Sequence, residues 1–97
     1  MPTDLSFTNS STANQHNWVL AKGGDDVAAR VDEAATTAGP DAGYLPTGED
    51  VAAGMKVLNP GENGTATVPA LPAGTYTYLC TVPGHYAAGM KGTLTIQ

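Results

Sequence analysis

The sequence predicts an all-β fold with one short helix set in a long excursion between strands. Short runs rich in Thr, Tyr, Val, Leu and Ile, such as residues 76–79 and Lys91–Ile96, have the two-residue alternation of a half-buried strand. Turn-forming residues punctuate them, drawn from twelve glycines and seven prolines in a chain of 97 residues. A single alanine-rich stretch, residues 27–35, places Val27 and Val31 four apart, the spacing by which a helix turns one face to a sheet.

Taken in order, residues 5–8 and 16–20 are the first two strand candidates, joined by the polar residues 10–14. His16, Trp18 and Leu20 share one parity, so His16 points with a large aromatic and a leucine, as either a core histidine or a metal ligand would. Gly23-Gly24-Asp25-Asp26 reads as a turn whose aspartates can cap the helix, with too few glycines for a phosphate loop. Residues 36–54 contain Pro40, Gly43, Pro46, Gly48 and Gly54 and read as irregular. Asp32, Glu33, Asp41, Glu49 and Asp50 lack calcium-loop spacing and make a solvated acidic surface. Residues 55–58 and 65–68 are further short strands about the turn 59–64, with Met55 assigned to packing.

Ninety-seven residues suit one domain, which buries roughly 60–65% of the surface its unfolded chain exposes. Four basic against nine acidic side chains give a net charge of −5, which argues against nucleic-acid binding. The lone Cys80 excludes an internal disulfide. No basic, apolar leader opens the sequence, and no apolar run approaches the ~18 residues of a membrane span. The Asn9-Ser10-Ser11 and Asn63-Gly64-Thr65 acceptor patterns are read as incidental.

The chemistry concentrates in Cys80-Thr81-Val82-Pro83-Gly84-His85-Tyr86-Ala87-Ala88-Gly89-Met90, which offers a thiolate, an imidazole and a thioether within one loop. The strand 76–79 runs into Cys80, Pro83-Gly84 breaks it, Gly89 allows a second bend, and strand character resumes at Lys91. Soft thiolate and thioether ligands favour copper(I), thiolate with two imidazoles also accommodates copper(II), and zinc sites seldom use methionine. His16 is available as the second imidazole, so a single one-electron copper centre is the leading reading. A Cys-His nucleophilic enzyme would leave Met90 and the second histidine unexplained. A copper oxidase or nitrite reductase would need more ligands than two histidines and one cysteine provide. A copper-storage or structural module has the same ligand list and remains the alternative.

The Cys-x4-His-x4-Met pattern, preceded by Gly74-Thr75-Tyr76-Thr77-Tyr78-Leu79, resembles the metal-binding loop of the cupredoxins, the small blue copper proteins. The likeness extends over residues 15–20, 23–28 and nearly all of 58–96, and within the family it is to the azurin-like auracyanins of filamentous green photosynthetic bacteria. The resemblance implies a Greek-key β-sandwich and a mononuclear type 1 copper site. His16, Cys80 and His85 would be its strong ligands, Met90 the weak axial ligand, and Asn17 a tie between the two ligand-bearing segments near the Cys80 sulfur. It implies an electron carrier without substrate chemistry, working on the periplasmic side of the membrane. Transient redox partners would dock near His85, among Pro83, Tyr86, Ala87 and Ala88.

Cupredoxins of this kind place about two strands before the one corresponding to residues 5–9, which here begins almost at Met1. The fold expected is therefore a sandwich truncated at its N-terminus. Such a chain is expected to be less stable than a complete domain, or to self-associate through an exposed sheet edge. Any membrane tether would have to come from an N-terminal extension outside this sequence.

Overall fold

A computed structural model describes residues 3–10, 13–46 and 48–96. Among these residues six strands, β1 (Thr3–Thr8), β2 (His16–Ala21), β3 (Val51–Leu58), β4 (Asn63–Val68), β5 (Gly74–Leu79) and β6 (Lys91–Ile96), are joined by one helix, α1 (Asp25–Ala38), and a 3-10 turn (Pro40–Ala42). Residues 11, 12 and 47, which fall in the polar connection and in the excursion expected from sequence, lie outside the described residues. Among those described, no helix is long and apolar enough to cross a membrane.

The strands form a four-stranded sheet in the order β3-β2-β5-β6 and a two-stranded sheet of β1 and β4, with every pairing antiparallel. Strand parity explains the layers. Trp18 and Leu20 of β2 join Met55, Ala66, Val68 and Tyr76 in a core shared with Leu5 and Phe7 of β1. Val19 and Ala21 point the other way, with Leu79, onto Ala28 and Val31 of α1. The four-stranded sheet is thus the middle layer, with the β1–β4 pair on one face and α1 on the other. Central position is why β2 reads as an unbroken buried run, whereas edge strand β6 alternates between exposed and half-buried residues.

The helix is longer than residues 27–35 suggest. It begins at Asp25, with Asp25 and Asp26 in its first turn, where carboxylates favour the helix N-terminus, yet its N-cap is Gly24 and no side chain caps it. It continues through Thr36 and Thr37, whose hydroxyls bond back to the Asp32 and Glu33 carbonyls and so tolerate the helix interior. The excursion is also shorter than expected, because β3 starts at Val51. Gly54 is a strand residue and not a breaker: a Cβ there would come within 2.6 Å of the Leu45 side chain, so glycine serves close packing. Met55 is buried in the core, as expected for a packing residue.

Two tests address this packing. Leu20 is fully buried, so Leu20→Ala should cost about 2–5 kcal/mol in chemical denaturation. Asp32 departs from the solvated acidic surface expected of it: it keeps Oδ1 buried with no hydrogen-bond partner, and burial raises its carboxyl above the usual 3.8. A raised folded-state value contributes stability that is full below the unfolded value and lost as pH rises through the folded one. Asp32→Asn should flatten that acid-side fall and leave the protein more stable at neutral pH.

Candidate metal centre

Three elements deliver the site. His16 opens β2, Cys80 directly follows β5, and Met90 directly precedes β6. Leu79 pairs with Lys91 as the last rung of the β5–β6 ladder, and one step further the Cys80 N–H donates to the Met90 carbonyl at 3.1 Å, closing the base of the loop. The loop then folds on itself. His85 N–H bonds to Val82 O at 3.0 Å, Ala88 N–H to Gly84 O at 3.1 Å, and Met90 N–H to His85 O at 3.1 Å. Gly84 and Gly89 adopt φ of 86° and 99°, a region costly for other residues, and they are the two bends legible in the sequence.

The result brings Cys80 Sγ to 3.3 Å from His85 Nδ1 and 3.7 Å from His16 Nδ1, the latter across 64 residues of chain. The two imidazole centroids are 4.9 Å apart, and the three ligand-type atoms all lie within 4.8 Å of one another. A metal bonded at about 2.0–2.3 Å to sulfur and nitrogen, with angles between tetrahedral and trigonal, needs sulfur and nitrogen about 3.5–3.8 Å apart. The two sulfur–nitrogen distances, 3.3 and 3.7 Å, are already close to that requirement. Met90 is 39% exposed and lines two cavities, one of about 260 Å³ shared with Cys80 and one of about 390 Å³ shared with His16.

Register contributes as well. The β2–β3 pairing shifts between His16 and Trp18, a bulge-type irregularity of the kind that re-aims a side chain at a strand end. Asn17 then locks β2 to the ligand loop. Its Oδ1 accepts Thr81 N–H at 2.7 Å, and its Nδ2 donates to Thr81 Oγ1 at 2.7 Å and to Tyr44 O at 3.2 Å. The Thr81 hydroxyl in turn donates to Tyr44 O. The tie expected of Asn17 is present: its side chain runs to the residue after Cys80, and its backbone N–H lies at the Cys80 sulfur. Thr81 and Tyr44, the latter at φ 52°, are site-supporting residues that sequence reasoning missed. The one sequence signal for Thr81 is a polar residue directly after Cys80; nothing local marks Tyr44.

Burial pushes the Cys80 thiol above its usual range, and the charge of Asp32 pushes the same way, while the Asn17 and Val82 backbone N–H groups at the sulfur oppose them. His16 is held below the ordinary 6.5, first by burial and then by its neighbour His85. The site without metal therefore favours a thiol beside a neutral imidazole, a pairing free of buried charge.

Residues 2–97 match the copper binding proteins of the plastocyanin/azurin family. The chain belongs to that family. It is 50% identical to Auracyanin-B of Chloroflexus aurantiacus over 95 residues, covering 95% of this chain and 40% of that protein. It is 44% identical to Auracyanin-A of the same organism over 94 residues, covering 96% of this chain and 57% of that one. Dithionite-reduced auracyanin of Roseiflexus castenholzii superposes with a TM-score of 0.93 at 49% identity, over 100% of this chain and 78% of that chain. The chain thus spans roughly half the length of these curated relatives and folds as a cupredoxin, with His16, Cys80 and His85 forming a single potential copper site.

Two outcomes follow from the site chemistry. Copper uptake must displace the Cys80 proton, so apparent affinity should rise about tenfold per pH unit from neutrality up to the raised thiol value, with one proton released per ion in a pH-stat titration. Asn17→Ala leaves the buried Thr81 N–H without its partner. It should cost about 1–3 kcal/mol in denaturant unfolding and speed copper loss to a chelator.

Proposed function

We propose that this chain is a mononuclear blue copper electron carrier, with His16, Cys80 and His85 as strong ligands and Met90 as a weak axial donor. The observation that carries it is the convergence of one buried thiol and two imidazole nitrogens at 3.3 and 3.7 Å, in a cupredoxin fold. Copper, when bound, supplies a one-electron couple between its cupric and cuprous forms. The chain's own part is to keep the geometry fixed through that change. Cys80, 4% exposed, gives a thiolate screened from water, and the Asn17–Thr81 bonds hold it against the strand that bears His16. That residues 1–97 act as one copper-binding domain belongs to the same proposal.

His85 is the contact point for a redox partner. It is half-buried, and Pro83, Ala87 and Ala88 around it are exposed, giving an apolar rim about an imidazole edge. Tyr86 does not belong to that rim, since its ring packs toward α1 and its hydroxyl bonds to Asp25 O at 3.2 Å. An apolar contact flanked by the acidic surface of a chain with net charge −5 suits a transient complex with a protein carrying basic groups. Work outside the cytoplasm, no substrate chemistry, and self-association through an exposed sheet edge, such as the outer edge of β6, complete the reading.

Reconstitution with copper(II) tests it. One ion per chain should give an intense blue thiolate band and a narrow copper hyperfine splitting in electron paramagnetic resonance, and a colourless one-to-one complex would defeat it. Cys80→Ser should abolish the colour, whereas Met90→Leu should keep copper and raise the reduction potential by removing a weak donor. Equal metal loss in both variants would remove the axial role from Met90.

A further inference from the structure

We propose that Asp25 is a positioning residue for the metal centre, through which the start of α1 holds the His85–Met90 half of the ligand loop in place. The inference rests on the copper site proposed above. Asp25 is engaged twice: its backbone carbonyl accepts the Tyr86 hydroxyl at 3.2 Å, and its carboxylate Oδ1 takes the Lys91 ammonium at 2.9 Å. Lys91 Nζ also lies 5.4 Å from the centroid of the Tyr86 ring, so the three groups form one cluster. Tyr86 follows His85 in the chain, and Lys91 follows Met90.

The same turn is gripped from the third ligand's strand. Thr77 of β5, three residues before Cys80, donates its hydroxyl to Gly23 O at 2.8 Å. The residues entering α1 are therefore tied to the chain near each of the three ligands on this loop. That turn is itself closely packed. Gly23 has φ 155°, and a Cβ there would meet Val27 at 2.6 Å, while Ala28, Val31 and Ala35 seat the helix in the core.

The loop needs such an anchor because it has little burial of its own. Pro83, Gly84, Ala87, Ala88 and Gly89 are all exposed. Hydrogen bonds within the loop fix its shape, and the Asp25 contacts fix that shape against a packed element. Each contact is individually small: the Lys91 and Asp25 side chains are 38% and 71% exposed, so their attraction is screened by water and salt.

The test compares Tyr86→Phe, Lys91→Gln and the conservative Lys91→Arg with the parent chain, by the rate of copper loss to a chelator, the shape of the blue absorption and resonance signals, and amide exchange of residues 88–90 without metal. Tyr86→Phe and Lys91→Gln should each speed copper loss and amide exchange about two- to five-fold, and Lys91→Arg should match the parent. The Lys91→Gln effect should vanish at ~1 M salt, whereas the Tyr86→Phe effect should persist. Unchanged release and exchange would overturn the proposal. So would a uniform loss of stability across the chain with unaltered spectra, which marks a merely structural contact. A colourless parent would defeat the copper reading alone, because amide exchange in the metal-free chain still decides whether Asp25 holds the loop.

Discussion

The antiparallel seam between β2 and β5 is the constraint on which the site and both cores depend. Val19 pairs with Leu79, and the next steps toward the site replace ladder bonds by the reciprocal side-chain bonds of Asn17 with Thr81. That seam sets His16 beside Cys80 across 64 residues, a loop whose closure entropy no local interaction would offset. It is stable because it is buried on both faces, with Trp18 and Leu20 toward the β1–β4 pair and Val19 and Leu79 toward α1. Satisfying Thr81 N–H and hydroxyl inside this seam is what allows a polar residue to be fully buried next to a ligand.

The site itself balances opposing demands on Cys80. Burial keeps water from the sulfur and raises the thiol's proton affinity, so a metal must supply the compensating charge that makes a thiolate tenable there. The two backbone N–H groups near the sulfur, from Asn17 and Val82, already lean toward the anion. A cuprous and a cupric ion can then be held by the same donors, which is the physical requirement for rapid one-electron exchange.

Around this buried end the ligand loop is an exposed structure held by hydrogen bonds, glycine bends and neighbouring elements. The aromatic layer beneath it shows the same economy. Tyr78 stacks on Trp18 at 6.5 Å between centroids, and its ring lies over Gly92 of β6, where a Cβ would come within 2.8 Å of three of its atoms. Gly92 is thus a place where an aromatic side chain covers a bare strand backbone, and the tyrosine gains packing area although it remains 38% exposed.

Much of this was legible in the sequence, because the signals were local. Alternation gave the strands at 5–8, 16–20, 65–68, 76–79 and 91–96, Pro83, Gly84 and Gly89 gave the bends, and the soft donors of residues 80–90 gave the metal, since ligand type and loop spacing are properties of a short segment. Helix length and the start of β3 were misread for a common reason: Thr36, Thr37 and Gly54 have poor local propensity, and back-bonded hydroxyls and close packing against Leu45 override it. Only the tertiary structure decided that Asn17 meets Thr81 and that Thr81 meets Tyr44. It alone brought the start of α1 under the far end of the ligand loop, because those contacts join residues 37 to 66 positions apart and are set by the packing of sheet and helix, which no short window of sequence encodes.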